Sequence, residues 1–368
     1  MSVNIMSRQT SSSWANLLPD LLLSIANRLD VTTSIRLAAV CTSWASTLRP
    51  CLPSFPPICH DQPIPWLLCS ARKSDANPNY SVLTFYDLST AIYFYVRIPI
   101  PLLCEHHWVG SYKGWLVTLD PQLQLHLIKP LTGAHVLLPS KGIEKEQPKK
   151  VILWHNPNNT NELRAFCLTQ QGRLASARLG DESWTWMNNY NGKYTDIIVY
   201  QEKLYAVSLY VLCYWNLQSS STEGTVITGY LTWGTKHLLE WNSELIMLTM
   251  NNYERTSLEI QAPKLVRLYK AHLGDYSYSL NSVSSLDDDA LFFGANCSYA
   301  VSSSGRDDIQ GNFIYFTNQM SRCFHDSETF HPNHNFGRFD LGKRTYYKPC
   351  CPQDLPMDLP PPIWFWPC

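Results

Sequence analysis

The chain carries little charge and almost no net charge. Of its 368 residues, 16% are Asp, Glu, Lys or Arg, and the formal net charge is −1. Water-soluble domains are usually about a quarter charged. Proteins that hold nucleic acid or anionic lipid through phosphate contacts need clustered positive charge, and the only short basic stretch is KEQPKK. We therefore expect neither nucleic acid nor a membrane surface as a partner.

Long apolar runs and paired-cysteine motifs are also missing. No stretch reaches the roughly 18 apolar residues that span a bilayer, and MSVNIMSRQTSSSW contains no apolar core of a signal peptide. The twelve cysteines are scattered, without a C-x-x-C pair. We expect reduced, mostly buried cysteines and a location in the cytoplasm or the nucleus, between which the sequence does not decide.

Motifs for catalysis are absent as well. Neither the phosphate-binding loop G-x-x-x-x-G-K-S/T nor the nucleophile motif G-x-S-x-G occurs. His106 and His107 have no nucleophile beside them, and the run Asp287–Asp289 lacks the glycine and distal glutamate of a calcium loop, so it predicts a hairpin turn. We predict no catalytic residue and no cofactor.

One stretch contains residue types that zinc prefers. CFHDSETFHPNHNF brings Cys323, His325, His331 and His334 close together in sequence. A long solvated loop between two strands explains the same polar composition, and we predict no metal site.

Two amphipathic stretches stand near the amino terminus. In LLPDLLLSIANRLD and in SIRLAAVCTSWASTL the apolar residues follow the offsets 0, 3, 4, 7 and 11, which places them on one face of a helix. Pro19 suits the first turn of the first helix, Thr and Ser of DVTTS are possible caps for the next, and Pro50 ends it. The apolar positions are Leu18, Leu21, Leu22, Ile25 and Leu29, then Leu37, Val40, Cys41, Trp44 and Leu48.

A helical segment of this size rarely buries its apolar stripes alone, so either the rest of the chain or another protein must cover them. The segment resembles the F-box, a three-helix motif, and the resemblance implies that a Skp adaptor covers the stripes and links the chain to a cullin–RING scaffold. We predict the F-box over residues 13–50. Its adaptor-binding residues would be Leu18, Pro19, Leu22, Ile25, Leu29, Leu37, Val40, Cys41 and Trp44.

The composition changes after the second stripe. We predict a disordered amino terminus over residues 1–12 and a proline-rich linker over residues 51–65. Beyond them, short runs rich in Val, Ile, Tyr and Phe alternate with turn residues, for example GWLVTLD, TDIIVY, KLYAVS and ELIMLTM. No helical period is evident after residue 50, so residues 66–368 are predicted to be a β domain.

A weak repeat runs through this β domain. Strand-like apolar segments recur around Leu116, Leu163, Leu204, Leu245 and Leu291, spaced by about 41 to 47 residues. This period is typical of four-stranded propeller blades and predicts about six or seven of them. A pair of β-sandwiches remains the alternative.

The β domain also resembles the KIB-type β-propeller of plants, which follows an F-box. The stretches that carry the resemblance include LIKPLTGAHVLLP, GDESWTWM, SLDDDALFFGANCSYAVS, GNFIYFT, GRFDLGKR and PPPIWFWP. The predicted fold class is therefore mainly β with a small α domain: a three-helix F-box followed by a kelch-like β-propeller.

The two resemblances together imply a non-catalytic substrate receptor of a Skp–cullin–F-box ubiquitin ligase. The F-box would bind the adaptor, and one face of the propeller would bind a target protein, which the sequence does not identify. Two alternatives stay open: a propeller-based enzyme or small-molecule sensor, and an F-box scaffold that acts outside protein degradation.

Overall fold

A computed structural model describes residues 14–29, 31–38, 40–48, 64–188, 193–219, 221–227, 234–250, 266–294, 297–317, 336–347 and 362–367. The described residues fall into two compact units, a helical unit between residues 14 and 48 and a β unit between residues 64 and 367. The predicted disordered residues 1–12 and most of the predicted linker lie outside the described residues, and the domain boundaries stay predictions.

The helical unit contains three short α-helices after a 3-10 turn at Trp14–Asn16. They are α1 (Pro19–Ala26), α2 (Val31–Ala38) and α3 (Thr42–Leu48). Pro19 occupies the first turn of α1, where its missing N–H leaves no hydrogen bond unmade, and Asp20 places a negative charge near the positive end of the helix dipole. The unit has its own small core, made of Leu22, Ala26, Ala38 and Leu48.

The spacing of the second apolar stripe predicts one continuous helix. In the structure the stripe is divided between α2 and α3. The Sγ atom of Cys41 accepts a hydrogen bond from the backbone N–H of Trp44 at 3.5 Å, which caps the start of α3. Ser34 was expected as a possible cap of the second helix and instead lies inside α2. Its Oγ donates to the carbonyl of Ala26 at 3.2 Å and so satisfies the end of α1.

In its described residues, the β unit contains 25 strands in six sheets. The first sheet has β1 (Trp66–Lys73), β2 (Ser81–Asp87), β3 (Ile92–Ile98) and β25 (Ile363–Phe365), and the second has β4 (His107–Tyr112), β5 (Trp115–Leu119), β6 (Leu125–Lys129) and β7 (Ala134–Leu137). The third has β8 (Pro148–Asn156), β9 (Asn159–Thr169), β10 (Leu174–Arg178) and β11 (Thr185–Trp186), and the fourth has β12 (Tyr194–Tyr200), β13 (Lys203–Ser208), β14 (Leu212–Asn216) and β15 (Thr225–Ile227). The fifth has β16 (Thr235–Trp241), β17 (Glu244–Met250), β18 (Val266–Leu273) and β19 (Tyr278–Val283), and the sixth has β20 (Asp289–Phe293), β21 (Ser298–Ser302), β22 (Phe313–Thr317), β23 (Phe336–Asp340) and β24 (Thr345–Tyr347).

The sheets are the blades of a six-bladed β-propeller. In the second to fifth sheets, consecutive strands pair antiparallel from the inside outward. One edge strand of each sheet contacts the corresponding strand of the next sheet, which makes a ring of β25, β4, β8, β12, β16 and β21. Six agrees with the predicted six or seven blades; that the blades are kelch-like stays a prediction.

The ring is closed by the end of the chain. Strand β25 pairs antiparallel with β1, with Trp364 opposite Leu67, so the first blade is built from both ends of the β unit. The Nε1–H of Trp364 donates to the carbonyl of Phe293 on β20 at 3.1 Å, and the Trp364 side chain is fully buried. Closure therefore joins the first blade to the sixth.

The sixth blade departs from the simple meander. Its strand order is β21-β20-β22-β23-β24, and β20 pairs parallel with β22, with Leu291 opposite Ile314. The residues of the aspartate run lie just before this blade and in its first strand. Asp287 and Asp288 form a turn, but the predicted hairpin is wrong, because β19 and β20 on either side of it belong to different sheets.

The leucine repeat marks equivalent positions. Each of the five leucines lies on the strand next to the innermost one of its blade, namely β5, β9, β13, β17 and β20, and each is buried. The sequence period is confirmed as the blade period. In the part of the chain that the structure describes, no helix is both long and apolar enough to cross a membrane.

Candidate functional site

The apolar stripe of α1 is only half buried. Successive residues of an α-helix are about 100° apart, so Leu22 and Ala26 lie on one edge of the stripe and Leu18 and Ile25 on the other. Leu22 is 1% exposed and belongs to the helical core, whereas Leu18 is 65% and Ile25 is 42% exposed. The apolar stripe is thus wider than the core of the helical unit, and the side chains along one of its edges are exposed to solvent.

The connection between α2 and α3 adds another exposed apolar residue. Val40 is 63% exposed, and its backbone N–H donates to the carbonyl of Leu37 at 3.2 Å, which closes a tight turn. The Val40 side chain is therefore presented by a hydrogen-bonded turn. Leu18, Ile25 and Val40 are called the apolar edge below.

Trp44 connects the two ends of the helical unit. Its side chain is partly buried against the helical core, and its Nε1–H donates to the backbone carbonyl of Trp14 at 3.0 Å. Trp14 itself is exposed. The hydrogen bond joins residues 30 positions apart, so Trp44 holds the segment before α1 against α3.

The predicted adaptor-binding residues fall into three groups by burial. Leu22 is in the core, and Leu29, Leu37, Cys41 and Trp44 are partly buried; Leu18, Pro19, Ile25 and Val40 are exposed. Among the described residues of this unit, two exposed large apolar side chains were not in the predicted set. Leu21 belongs to the same periodic stripe, so its position carried a signal, whereas Trp14 precedes the periodic segment and carried none.

The β unit contains a buried ionic network that joins three blades. The Nζ of Lys150 on β8 donates to Oδ1 of Asp196 on β12 at 2.6 Å. The other carboxylate oxygen accepts the backbone N–H of Leu238 on β16 at 2.8 Å, and Nδ1 of His237 lies 3.7 Å from it. One carboxylate therefore links the inner strands of the third, fourth and fifth blades.

Burial alone would raise the pKa of Asp196, but Lys150 and His237 outweigh burial and hold this pKa below its usual range. The carboxylate is thus ionised at neutral pH and both of its oxygens are occupied. The neighbouring Lys236 is also buried, and its Nζ donates to the carbonyls of Leu209 and Gly234 at 3.1 and 3.3 Å. These charged groups satisfy each other and the backbone, which is typical of structural networks.

A thiol also lies near the inner strands. Burial raises the pKa of Cys297 to about 12, and its Sγ contacts the carbonyl oxygen of Trp364 at 3.0 Å. A thiol with this pKa is protonated at neutral pH, so Cys297 is not a nucleophile in this arrangement. Close by, the hydroxyl of Tyr299 donates to the carbonyl of Ser111 at 3.0 Å and so connects β21 with β4.

The adjacent histidines His106 and His107 differ in burial. His107 is exposed, whereas His106 is buried, with its Nδ1 2.9 Å from the hydroxyl of Thr118. The ring of His106 lies 4.9 Å from that of His126, whose Nδ1 is in turn 2.9 Å from Nε2 of His135. Burial, and next the charge of His126, lower the pKa of His106 to about 4.

This row of rings lies in the second blade, and its middle ring also contacts Asp120, whose Oδ2 is 3.2 Å from Nε2 of His126. Among the residues that the structure describes, neither this row nor any other group has three or more metal-ligating side chains arranged around a common point. Cys323, His325, His331 and His334 lie outside the described residues.

Curated proteins similar to this chain come from Arabidopsis thaliana and are named as F-box proteins. At2g05970 is 24% identical over 224 residues, which cover 58% of this chain and 56% of that protein. At4g17565 is 26% identical over 206 residues, which cover 54% of this chain and 52% of that protein. The chain thus spans about half the length of these relatives.

Among solved structures, the β-propeller domain of Cps50 (Swd1) from Myceliophteria thermophila is 10% identical, with a TM-score of 0.40. The alignment covers 78% of this chain and 85% of that domain. The order of the six sheets is that of a six-bladed propeller.

The family model described as KIB1-4 beta-propeller matches residues 85–340, well over half of the chain. The matched region begins within β2 and ends with β23, so it includes the end of β2 and β3 of the first blade, all of the second to fifth blades, and β20 to β23 of the sixth. The chain belongs to the KIB1-4 β-propeller family.

Proposed function

We propose that residues 13–50 are an F-box that binds a Skp-type adaptor, and that the propeller holds a target protein for ubiquitination. The chain would then be a substrate receptor of a Skp–cullin–F-box ubiquitin ligase. The observation that carries the proposal is the apolar edge of the helical unit: Leu18, Ile25 and Val40 are exposed although the unit already has a core.

An exposed set of large apolar side chains on so small a unit favours a protein partner. Burial of a Leu, Ile or Val side chain contributes about 1.5–3 kcal/mol relative to leaving it in water, so covering three of them stabilises a complex appreciably. The F-box names of the relatives support an adaptor as that partner. The buried residue Leu22 would then support the edge from behind and would not contact the adaptor itself.

The receptor would act without chemistry of its own. Holding a target near the ubiquitin-carrying enzyme raises the local concentration of the target's lysines, and this needs affinity and geometry but no catalytic group. The Lys150–Asp196–His237 network supports this reading, because its charged groups are engaged with each other and with the backbone. We place this activity in the cytoplasm or the nucleus.

Co-purification with a recombinant Skp adaptor tests the proposal. The wild-type chain should recover the adaptor, and Ile25→Lys should reduce recovery at least ten-fold because it places a charge on the apolar edge. The matched control is Asn27→Lys, which adds the same charge to an exposed position on the far side of the helix axis and should leave recovery unchanged. Wild-type chain that recovers no adaptor, or Ile25→Lys that recovers as much as wild type, would contradict the assignment.

A further inference from the structure

A cleft opens between the third and fourth blades, well within the β unit. Its volume is about 210 Å³, and its lining comes from β9, β10, β11, the end of β14 and the turn that follows β14. Phe166 and Trp215 contribute aromatic surface, and the Nε1–H of Trp215 donates to the carbonyl of Thr222 at 3.0 Å, which fixes the indole in place. The cleft is large enough for a small organic molecule.

Two arginines, Arg164 and Arg178, line this cleft, and Arg164 is poorly paired. Its side chain is only 15% exposed, and its one ion-pair contact runs to Oε1 of Glu162 at the long distance of 3.9 Å. Within the described part of the chain its guanidinium makes no hydrogen bond, and Phe166 is its ring neighbour at 6.0 Å. A guanidinium has five N–H donors, so a largely desolvated one without acceptors is unusual.

The nearby acids are engaged elsewhere. Glu162 accepts hydrogen bonds from Nδ2 of Asn156 at 2.8 Å and from Nε of Arg178 at 2.9 Å. Asp181, which also lines the cleft, accepts the backbone N–H of Arg178 at 2.7 Å. Arg178 also stands directly opposite Arg164 across the β9–β10 ladder, so two like charges face each other. The charges of Glu162 and Asp181 act on Arg164, but its guanidinium is left without a hydrogen-bonded acceptor among the described residues.

Burial, and next the charge of Arg178, lower the pKa of Arg164. The ordinary pKa of arginine is so high that the side chain stays protonated at neutral pH even when its pKa is lowered. Arg164 therefore cannot avoid the cost of burying a charge by losing its proton. An anion in the cleft would supply acceptors and offset that cost.

We propose that this cleft is a binding site for a phosphate group, free or carried by a small organic molecule. The planar fork of Arg164 suits bidentate contact with a phosphate, and hydroxyls of Ser176, Thr185 and Ser219 line the same cleft and supply further donors. The aromatic wall of Trp215 suits an organic group attached to the phosphate. The site lies wholly within the β unit and is independent of adaptor binding.

Calorimetric titration of the full chain with phenyl phosphate, inorganic phosphate and phenol tests the proposal. Phenyl phosphate should bind saturably, and phenol, which lacks the anion, should bind at least ten-fold more weakly. Arg164→Gln should weaken phenyl phosphate binding at least ten-fold. Arg97→Gln, which removes a charge from an exposed position on β3, should leave binding unchanged.

A second variant guards against loss of fold. Thr185 is exposed at the cleft, so Thr185→Phe should fill the cleft without disturbing the core, and it should also abolish binding. Circular dichroism and the melting temperature report whether each variant is folded. Inorganic phosphate that binds as tightly as phenyl phosphate supports the site with free phosphate as ligand, and weaker binding supports an organic phosphate. Absence of binding by the wild type, or equal binding by phenol, would overturn the proposal.

Discussion

The ammonium of Lys150 lies 2.6 Å from Oδ1 of Asp196, and both side chains are almost completely buried between the third and fourth blades. A buried pair of this kind contributes little net stability, because each charge loses its hydration, but removing one partner leaves an uncompensated charge in the interior. The pair therefore acts mainly as a constraint on how the inner strands β8, β12 and β16 fit together.

The first prediction concerns Asp196→Asn. The substitution keeps the size of the side chain but leaves Lys150 buried without its counter-charge, so it should lower the free energy of unfolding by about 3 kcal/mol. Urea denaturation of the full chain, followed by tryptophan fluorescence, measures the loss.

Two comparisons sharpen this prediction. The ion pair between Nη1 of Arg72 and Oδ2 of Asp75, 3.2 Å apart, is exposed and is the control. Asp75→Asn should change the free energy of unfolding by less than about 0.5 kcal/mol. The double variant Lys150→Met, Asp196→Leu should be less destabilised than Asp196→Asn, because no unpaired charge is left. Equal losses for the buried and the exposed pair would show that burial of the charges does not control the effect.

The second prediction concerns closure of the ring by Trp364. Trp364→Ala removes a fully buried indole and its hydrogen bond to Phe293, and it should cost about 3–5 kcal/mol. Trp364→Phe keeps a ring but loses the Nε1–H, so its cost should be about 1–3 kcal/mol. Hydrogen exchange should show the largest loss of protection in β1, the strand that pairs with β25. Protection of β1 that stays unchanged in Trp364→Ala would show that the carboxyl-terminal strand does not hold the first blade.

The third prediction concerns a close approach between inner strands. A Cβ atom on Gly110 of β4 would collide with the carbonyl oxygen of Val151 on β8, which is backbone and cannot rotate away. Gly110→Ala should therefore destabilise the protein by about 2 kcal/mol or more. Gly274→Ala, whose Cβ would meet its nearest neighbour at 3.2 Å in an outer turn, is the control and should cost less than half as much. Thermal unfolding of the two variants distinguishes these outcomes.

Much of the fold could be predicted from the sequence because the blade repeat is a packing requirement. Each blade needs one buried apolar strand next to its inner strand, and Leu116, Leu204 and Leu245 occupy that place. The parallel pairing of β20 with β22 could not be predicted, since alternating apolar residues do not reveal the direction of a neighbouring strand.

The candidate sites divide in the same way. Helical spacing predicted which face of α1 is apolar, but it could not separate Leu22, which is in the core, from Ile25, which is exposed, because that depends on how α3 packs. Arg164 had no signal at all in the sequence. Among the described residues, Arg164 lacks a hydrogen-bonded acceptor because Asn156 and Arg178 donate hydrogen bonds to Glu162, and these contacts exist only in the folded chain.

The last prediction concerns pH and His106. The pKa of His106 is about 4 in the folded protein against 6.5 for an ordinary histidine, so the unfolded chain binds a proton between these values and the folded chain does not. The free energy of unfolding is therefore unaffected by His106 above about pH 6.5, and it decreases as the pH falls toward 4. With allowance for solvent screening, the loss should be about 2 kcal/mol.

Urea denaturation at pH 7.0 and pH 4.5 measures this loss, and His106→Asn should remove most of the difference, since an amide can still contact Thr118 but does not titrate. The neighbour His107 is exposed, so His107→Asn should keep the wild-type difference. Burial also lowers the pKa of the neighbouring His135, which is why a remainder is expected in His106→Asn. A pH dependence that His106→Asn leaves intact would place the sensitive group elsewhere among these side chains, with His135 as the first residue to replace.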